Sequence, residues 1–104
     1  MNTPATPVFL VLTIKGSTLA RRLAKKLTGS EVHGLIGRVK DADLFFESVS
    51  EHLRNLFTAG RPVVGICAAG VLIRILAPVI REKHGEPAVV ALAEDGTSIV
   101  PLLG

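Results

Sequence analysis

The sequence predicts an α/β fold, a three-layer sandwich around a mostly parallel five-stranded sheet with one antiparallel edge hairpin. Three observations lead there. Short β-rich apolar runs alternate with segments of helical periodicity, the pattern of βα units wound onto a parallel sheet. Val8 to Ile14 is continuously apolar, as a strand covered on both faces must be. Near the end, Asp95-Gly96 separates two further β-rich runs and marks a tight hairpin.

The elements follow in chain order. Met1 to Pro7, rich in Pro and Thr, reads as a disordered lead-in, which leaves 8–104 as a single domain. Val8 to Ile14 is the first strand. Lys15-Gly16-Ser17-Thr18 breaks it, and Ser17 or Thr18 can cap the helix that follows. In that helix Leu19, Ala20, Leu23, Ala24 and Leu27 share one face, with Arg21, Arg22, Lys25 and Lys26 opposite as a solvated surface, and Thr28-Gly29 ends it.

Glu31 to Ile36 is a weaker strand, and a polar loop runs from Gly37 to Ala42. Asp43 is placed to cap a second helix carrying Phe45, Phe46, Val49, Leu53, Leu56 and Phe57 at helical spacing, stopped by Gly60. Pro62 leads into the strand Val63 to Cys67. The third helix spans Val71 to Arg81, bends at Pro78, which cannot donate to the carbonyl of Arg74, and ends at Lys83-His84-Gly85. Ala88 to Ala93 and Ser98 to Leu103 form the hairpin. For these five strands the expected order is 2-1-3-4-5.

Composition narrows the function. At 104 residues and 48% apolar content, one domain can bury a real core without staples. With no Trp, no Tyr and four Phe the core is aliphatic, which argues against base-stacking nucleic-acid readers. A single Cys rules out a disulfide framework and points to a reducing, cytoplasmic setting. The net charge of +3 suits an acidic ligand. The apolar run from Ile66 is broken by Arg74, well short of the roughly 20 residues a membrane span needs. Val8 to Leu12 lacks the preceding positive region of a signal peptide.

In an open parallel sheet, ligands bind beyond the carboxyl ends of the strands. Two junctions fit that position. Cys67-Ala68-Ala69-Gly70 presents small side chains that leave backbone amides accessible, and Lys15-Gly16-Ser17-Thr18 offers amides, hydroxyls and a cation. Neither matches a Walker loop or the three-glycine dinucleotide fingerprint. The candidate substrate-binding residues are therefore Lys15, Gly16, Ser17, Thr18, Ala68, Ala69, Gly70 and Arg74. Arg74 sits among Val71, Leu72, Ile73, Ile75, Leu76 and Ala77, where burial requires a partner. It binds a ligand carboxylate, pairs with an acid such as Glu94, or stands exposed. Cys67 reads as a packed, inert thiol. His33, His52 and His84 fit no metal spacing, so no metal site is expected, and no catalytic residue is assigned.

A set of less common pairs occurs in order near the end: Gly65-Ile66, Ala69-Gly70, Arg74, Ala77-Pro78, Lys83, Pro87-Ala88-Val89-Val90, Glu94-Asp95-Gly96 and Pro101-Leu102-Leu103. On these residues the stretch Gly65 to Gly104, about the last 40% of the chain, resembles the N-terminal region of the cobalamin-biosynthesis protein G family (CbiG). The resemblance implies a role in building the corrin ring of vitamin B12. Members act on cobalt-precorrin-5A, opening its ring-A lactone and releasing acetaldehyde without a redox cofactor. The implied partners are an anionic corrinoid or precorrin, a tetrapyrrole rich in carboxylates, and the remaining domains of a parent protein. No nucleic acid, membrane or cofactor is implied for this domain.

Two departures stand out. Glu86 replaces the usual Asp, and the family continues past Leu-Leu-Gly into a Gly-His segment where this chain stops, so it resembles a piece of a longer protein. Ala93 to Gly96 and Val100 to Gly104 look most like the version fused ahead of a precorrin-3B C17-methyltransferase, whose parent would use S-adenosylmethionine. Three readings stay open: a cobalt-precorrin-5A hydrolase-type domain, a non-catalytic module of that fusion, or a small regulatory domain binding phosphate at Lys15 to Thr18.

Overall fold

The computed structural model describes residues 6–80 and 86–104. Its elements run β1 (Val8–Val11), α1 (Ile14–Ala24), β2 (Glu31–Leu35), β3 (Leu44–Phe46), α2 (Val49–Thr58), β4 (Val63–Ile66), α3 (Ala69–Leu76), a 3-10 turn (Ala77–Val79), β5 (Val89–Leu92) and β6 (Ile99–Leu103). The strands form one sheet in the order β3-β2-β1-β4-β5-β6. All neighbours are parallel except β5 and β6, which form the antiparallel edge pair.

The unbroken apolar run of β1 is explained by two cores. Val8 and Leu10 face α2 and α3, packing with Leu53, Leu56, Leu72 and Leu76. Phe9 and Val11 point the other way, towards Leu19 and Ala20 of α1. The sandwich is therefore α1, sheet, then α2 with α3. Among the described residues no helix is long and apolar enough to cross a membrane.

Six strands replace the expected five. The five foreseen strands keep their expected order, and β3 adds outside β2. Phe45 and Phe46 fit a helical face by spacing, yet their segment pairs with β2, where His33 lies opposite Leu44 and Leu35 opposite Phe46. Asp43 consequently does not cap α2; Ser48 does, accepting the Glu51 amide at 3.2 Å. Asp43 instead accepts the Val32 amide at 2.7 Å and pairs with Arg21. The Val32 amide, and then the Arg21 guanidinium, hold its carboxyl below the usual carboxylate range.

The first helix also starts earlier than its residues suggest. β1 stops at Val11, and Thr13 rather than Ser17 or Thr18 caps α1. Ser17 and Thr18 turn their hydroxyls elsewhere, to the Asp41 carbonyl at 2.8 Å and the Ile14 carbonyl at 3.2 Å. On the solvated face of α1, Arg21 grips Asp41 through two nitrogens, at 2.9 and 3.2 Å.

α3 closes at Leu76 and passes through Pro78 as a 3-10 turn, as expected where an imino nitrogen removes a helical bond. The expected helix end at Lys83-His84-Gly85 lies outside the described residues, as do the first five of the lead-in. Thr6 and Pro7 are tied down, Thr6 donating to the Gly29 carbonyl at 2.9 Å and Pro7 accepting from Glu31. The hairpin turns at Gly96, with φ of 77°, while Asp95 accepts the amide and hydroxyl of Thr97. β6 begins at Ile99, one residue later than Ser98. It tolerates Pro101 because it is the sheet edge.

Candidate functional site

The strand order reverses between β1 and β4: the chain travels outward from β1 to β2 and β3, then returns to build β4 and β5 on the other side. α1 and α3 leave the carboxyl ends of these two central strands on opposite faces, which opens a crevice between them. A cleft of about 460 Å³ occupies this position. Leu12 and Thr13 line it from the end of β1, Ile66 to Ala69 from β4 and α3, and Ala93, Glu94 and Ser98 from the hairpin.

Thr13 organises the polar side. Its hydroxyl accepts the Gly16 amide at 3.0 Å, capping α1, and donates to the Glu94 carboxylate. One side chain thus joins the ends of β1 and β5 across β4. Gly16 is buried beneath it, and a Cβ there would come within 3.2 Å of the Thr13 hydroxyl and 3.3 Å of Ile66. The opposite wall is the start of α3, where Ala68 supplies no side-chain cap. The Ala69 and Gly70 amides therefore have no side-chain acceptor, while the Val71 amide donates to the Ala68 carbonyl at 3.0 Å.

Cys67 is half-buried in this wall. Burial, and then the negative charge of Glu94, push its thiol up to about 11. At neutral pH it is a thiol and a poor nucleophile. The inert role expected of it fits this environment.

The structure brings only part of the expected set together. Ala68 and Ala69 line the cleft, and Gly70 sits beside them, exposed on the first turn of α3. In the other junction, the Gly16 and Ser17 amides are already spent on the Thr13 hydroxyl and carbonyl. Ser17 and Thr18 line a separate groove with Arg21, Arg22, Lys25 and Lys40. Lys15 is exposed, near enough to Asp95 to add to the lowering of its carboxyl, which comes first from the Thr97 hydroxyl. Arg74 stands exposed on α3, away from the cleft lining, and no carboxylate among the described residues pairs with it. Glu94 is the partner of Thr13 instead.

Thr13 escaped the sequence reading, and Glu94 entered it only as a candidate partner of Arg74 and a motif residue. Each is the first polar residue after a run of apolar ones that forms a strand, and in a parallel sheet that position faces the ligand edge. Among the described residues no group of three His, Cys, Asp or Glu side chains could hold a metal ion.

The family model for the cobalamin synthesis G N-terminal region matches residues 51–104, just over half of the chain and the part that builds α2, α3 and the cleft wall. The chain belongs to this family. Two curated relatives extend the similarity to its first half. A cobalt-precorrin-5A hydrolase of Salmonella typhimurium is 32% identical over 105 residues, covering 99% of this chain and 30% of that protein. One of Priestia megaterium is 26% identical over 100 residues, covering 90% of this chain and 27% of that protein. The chain thus spans less than a third of the length of either relative. No solved structure matches it significantly. The CbiG-type assignment carried by Gly65 to Gly104 stands, and with it a domain of cobalamin biosynthesis.

Proposed function

We propose that this CbiG-type domain forms one wall of a binding site for an anionic corrin-ring intermediate of the cobalt-precorrin-5A type. The tetrapyrrole edge lies in the switch-point cleft. One observation carries the reading: the uncapped start of α3, walled by Ala68 and Ala69, opens into a cleft at the point where the strand order reverses. Small side chains let a carboxylate approach the first amides of the helix, and the helix dipole favours its charge. The relatives' names supply the substrate class.

On this reading the cleft is a holding surface, because its described lining offers little for lactone opening. Its thiol is protonated, and its one carboxylate is occupied by Thr13. The remaining catalytic groups come from further regions such as those filling the rest of the relatives. A second reading rests on Ala93 to Gly96 and Val100 to Gly104: a non-catalytic module serving a precorrin-3B C17-methyltransferase, whose S-adenosylmethionine would bind in that other domain.

The test is a calorimetric and NMR titration of the 104-residue chain with cobyrinic acid, a stable carboxylate-rich corrinoid. Perturbed amides at Ala69, Gly70 and Glu94, lost in Ala69→Glu, are expected. Shifts confined to Ser17, Thr18 and Lys40 would refute the placement and favour the basic groove instead.

A further inference from the structure

A second polar cluster lies on the α2 side of the sheet and plays no part in the switch-point cleft. His33 of β2 is buried, 4% exposed, so its polar ring needs hydrogen-bond partners. Its Nδ1 lies 2.8 Å from Nε2 of His52, and its Nε2 lies 3.1 Å from the Glu31 carboxylate. Arg61 approaches the same carboxylate at 3.5 Å. The His52 ring stacks on Phe46, with centroids 4.6 Å apart and planes 5° from parallel.

Hydrogen-bond direction along this chain follows from chemistry. A carboxylate only accepts, so His33 carries a proton on Nε2, and in the neutral ring Nδ1 is then bare. His33 Nδ1 then accepts, so His52 must donate from Nε2, and its own Nδ1 is left without a proton. His52 is half-buried and lines a cleft, and its Nδ1 is not one of the buried side-chain atoms left without a partner. With both rings neutral, these two contacts leave His52 Nδ1 as a hydrogen-bond acceptor.

The surroundings define what it accepts from. His52 lines a cleft of about 430 Å³ at the start of α2, together with Ile36, Phe45, Glu47, Ser48 and Glu51. Ile36 and Phe45 are exposed apolar surfaces, 53% and 43% accessible. Glu47 and Glu51 are the charged groups of the lining, and no Lys or Arg shares it among the described residues. The helix start would favour an anion, but Ser48 already caps it and Glu51 lies in its first turn.

We propose that this cleft is a second binding site, for an organic ammonium bearing an apolar or aromatic group. His52 Nδ1 accepts one N–H, Glu47 and Glu51 supply the countercharge, and Ile36 with Phe45 covers the apolar part. Glu31 and His33 are positioning residues that fix the His52 tautomer. Acid closes the site, because a proton on Nδ1 removes the acceptor and adds a like charge. The other charges around the pair are Glu31, Arg61, and Asp43 with its partner Arg21. Burial and the neighbouring His33 keep His52 below its ordinary pKa, so it is neutral at pH 7.

Long-range proton–nitrogen NMR of the histidine rings tests these tautomers. The expected result is a bare Nδ1 on both His33 and His52 at neutral pH; a proton on His52 Nδ1 would overturn the proposal. Phenethylammonium then tests the site, with phenylacetate as its anionic counterpart. Saturable shifts at Phe45, Glu51 and His52 with the cation alone are expected. Binding should weaken about tenfold or more in His52→Phe, the scale of one hydrogen bond to a charged group. The exposed-end variant Glu31→Gln should mix the His52 tautomers and weaken binding without unfolding the chain. Equal response to phenylacetate, or no saturation with either compound, refutes the site. Neither outcome bears on the corrinoid cleft, which is lined by different residues.

Discussion

Gly65 lies in β4, and its lack of a side chain seats the helix that walls the cleft. A Cβ at this position would fall 2.7 and 2.8 Å from the two methyl carbons of Leu72 and 3.2 Å from its branching carbon. Leu72 is fully buried in the core between α3 and the sheet, so it has little room to give. Gly65→Ala should therefore overpack this layer, at a cost of about 1–3 kcal/mol. For a domain of this size that lowers Tm by roughly 4–8 °C per kcal/mol.

Relief is the sharper test. Leu72→Ala alone should cost about 2–5 kcal/mol through the cavity it leaves. In the double variant the new methyl occupies part of that cavity, so the combined loss should fall clearly below the sum of the two, because the residues are in direct contact. Urea unfolding followed by far-UV circular dichroism gives all four stabilities. Strict additivity, or a Gly65→Ala protein as stable as the parent, would refute the packing argument.

Thr13→Ala removes the cap of α1 and the donor to Glu94 together, and should cost about 1–2 kcal/mol in the same unfolding assay. Cys67 should alkylate slowly with iodoacetamide near neutral pH, with the rate climbing towards a pKa of about 11, and Glu94→Gln should speed it by removing a repelling charge. Because the folded protein holds His52 below its ordinary pKa, the unfolded chain binds more protons between the folded value and about 6.5. Stability should therefore rise with pH through that window and fall on acidification, and His52→Phe should flatten this part of the urea-midpoint profile.

The alternation of βα units made the fold class legible, and the expected order 2-1-3-4-5 recurs in the sheet although periodicity alone does not dictate it. β3 was hidden for a physical reason. Phe45, Phe46 and Val49 satisfy helical spacing, but a three-residue edge strand buries only Phe46 and leaves Leu44 and Phe45 exposed, so no alternation develops. The capping residues failed similarly: Ser17 and Thr18 have the right chemistry, yet the helix had already begun at Ile14. The position of Ala68 and Ala69 at the candidate cleft was readable from small size at a strand end, while Gly70 falls beside the lining. The exposure of Arg74 was not, since a short amphipathic helix broken by Pro78 gives little signal of which face is covered. His33 and His52 lie 19 residues apart and meet only because β2 and α2 pack together.

The charges of the switch-point cleft sharpen the proposed role. A corrinoid presents several carboxylates, yet the ionisable groups of this lining are a carboxylate and a neutral thiol. Lys15 stands at the hairpin side and Arg74 on α3, both exposed and outside the lining. An isolated anion facing Glu94 would gain only the dipole and amides of α3, worth about 0.3–1 kcal/mol at an exposed helix end. Tight binding therefore needs cations beyond those the described residues place in the cleft lining. The further regions of a family member are the natural source, because a surface contributed by another domain could bring Arg or Lys opposite the α3 amides and exclude water from both. On that argument the isolated chain should bind a corrinoid weakly and in a salt-sensitive way.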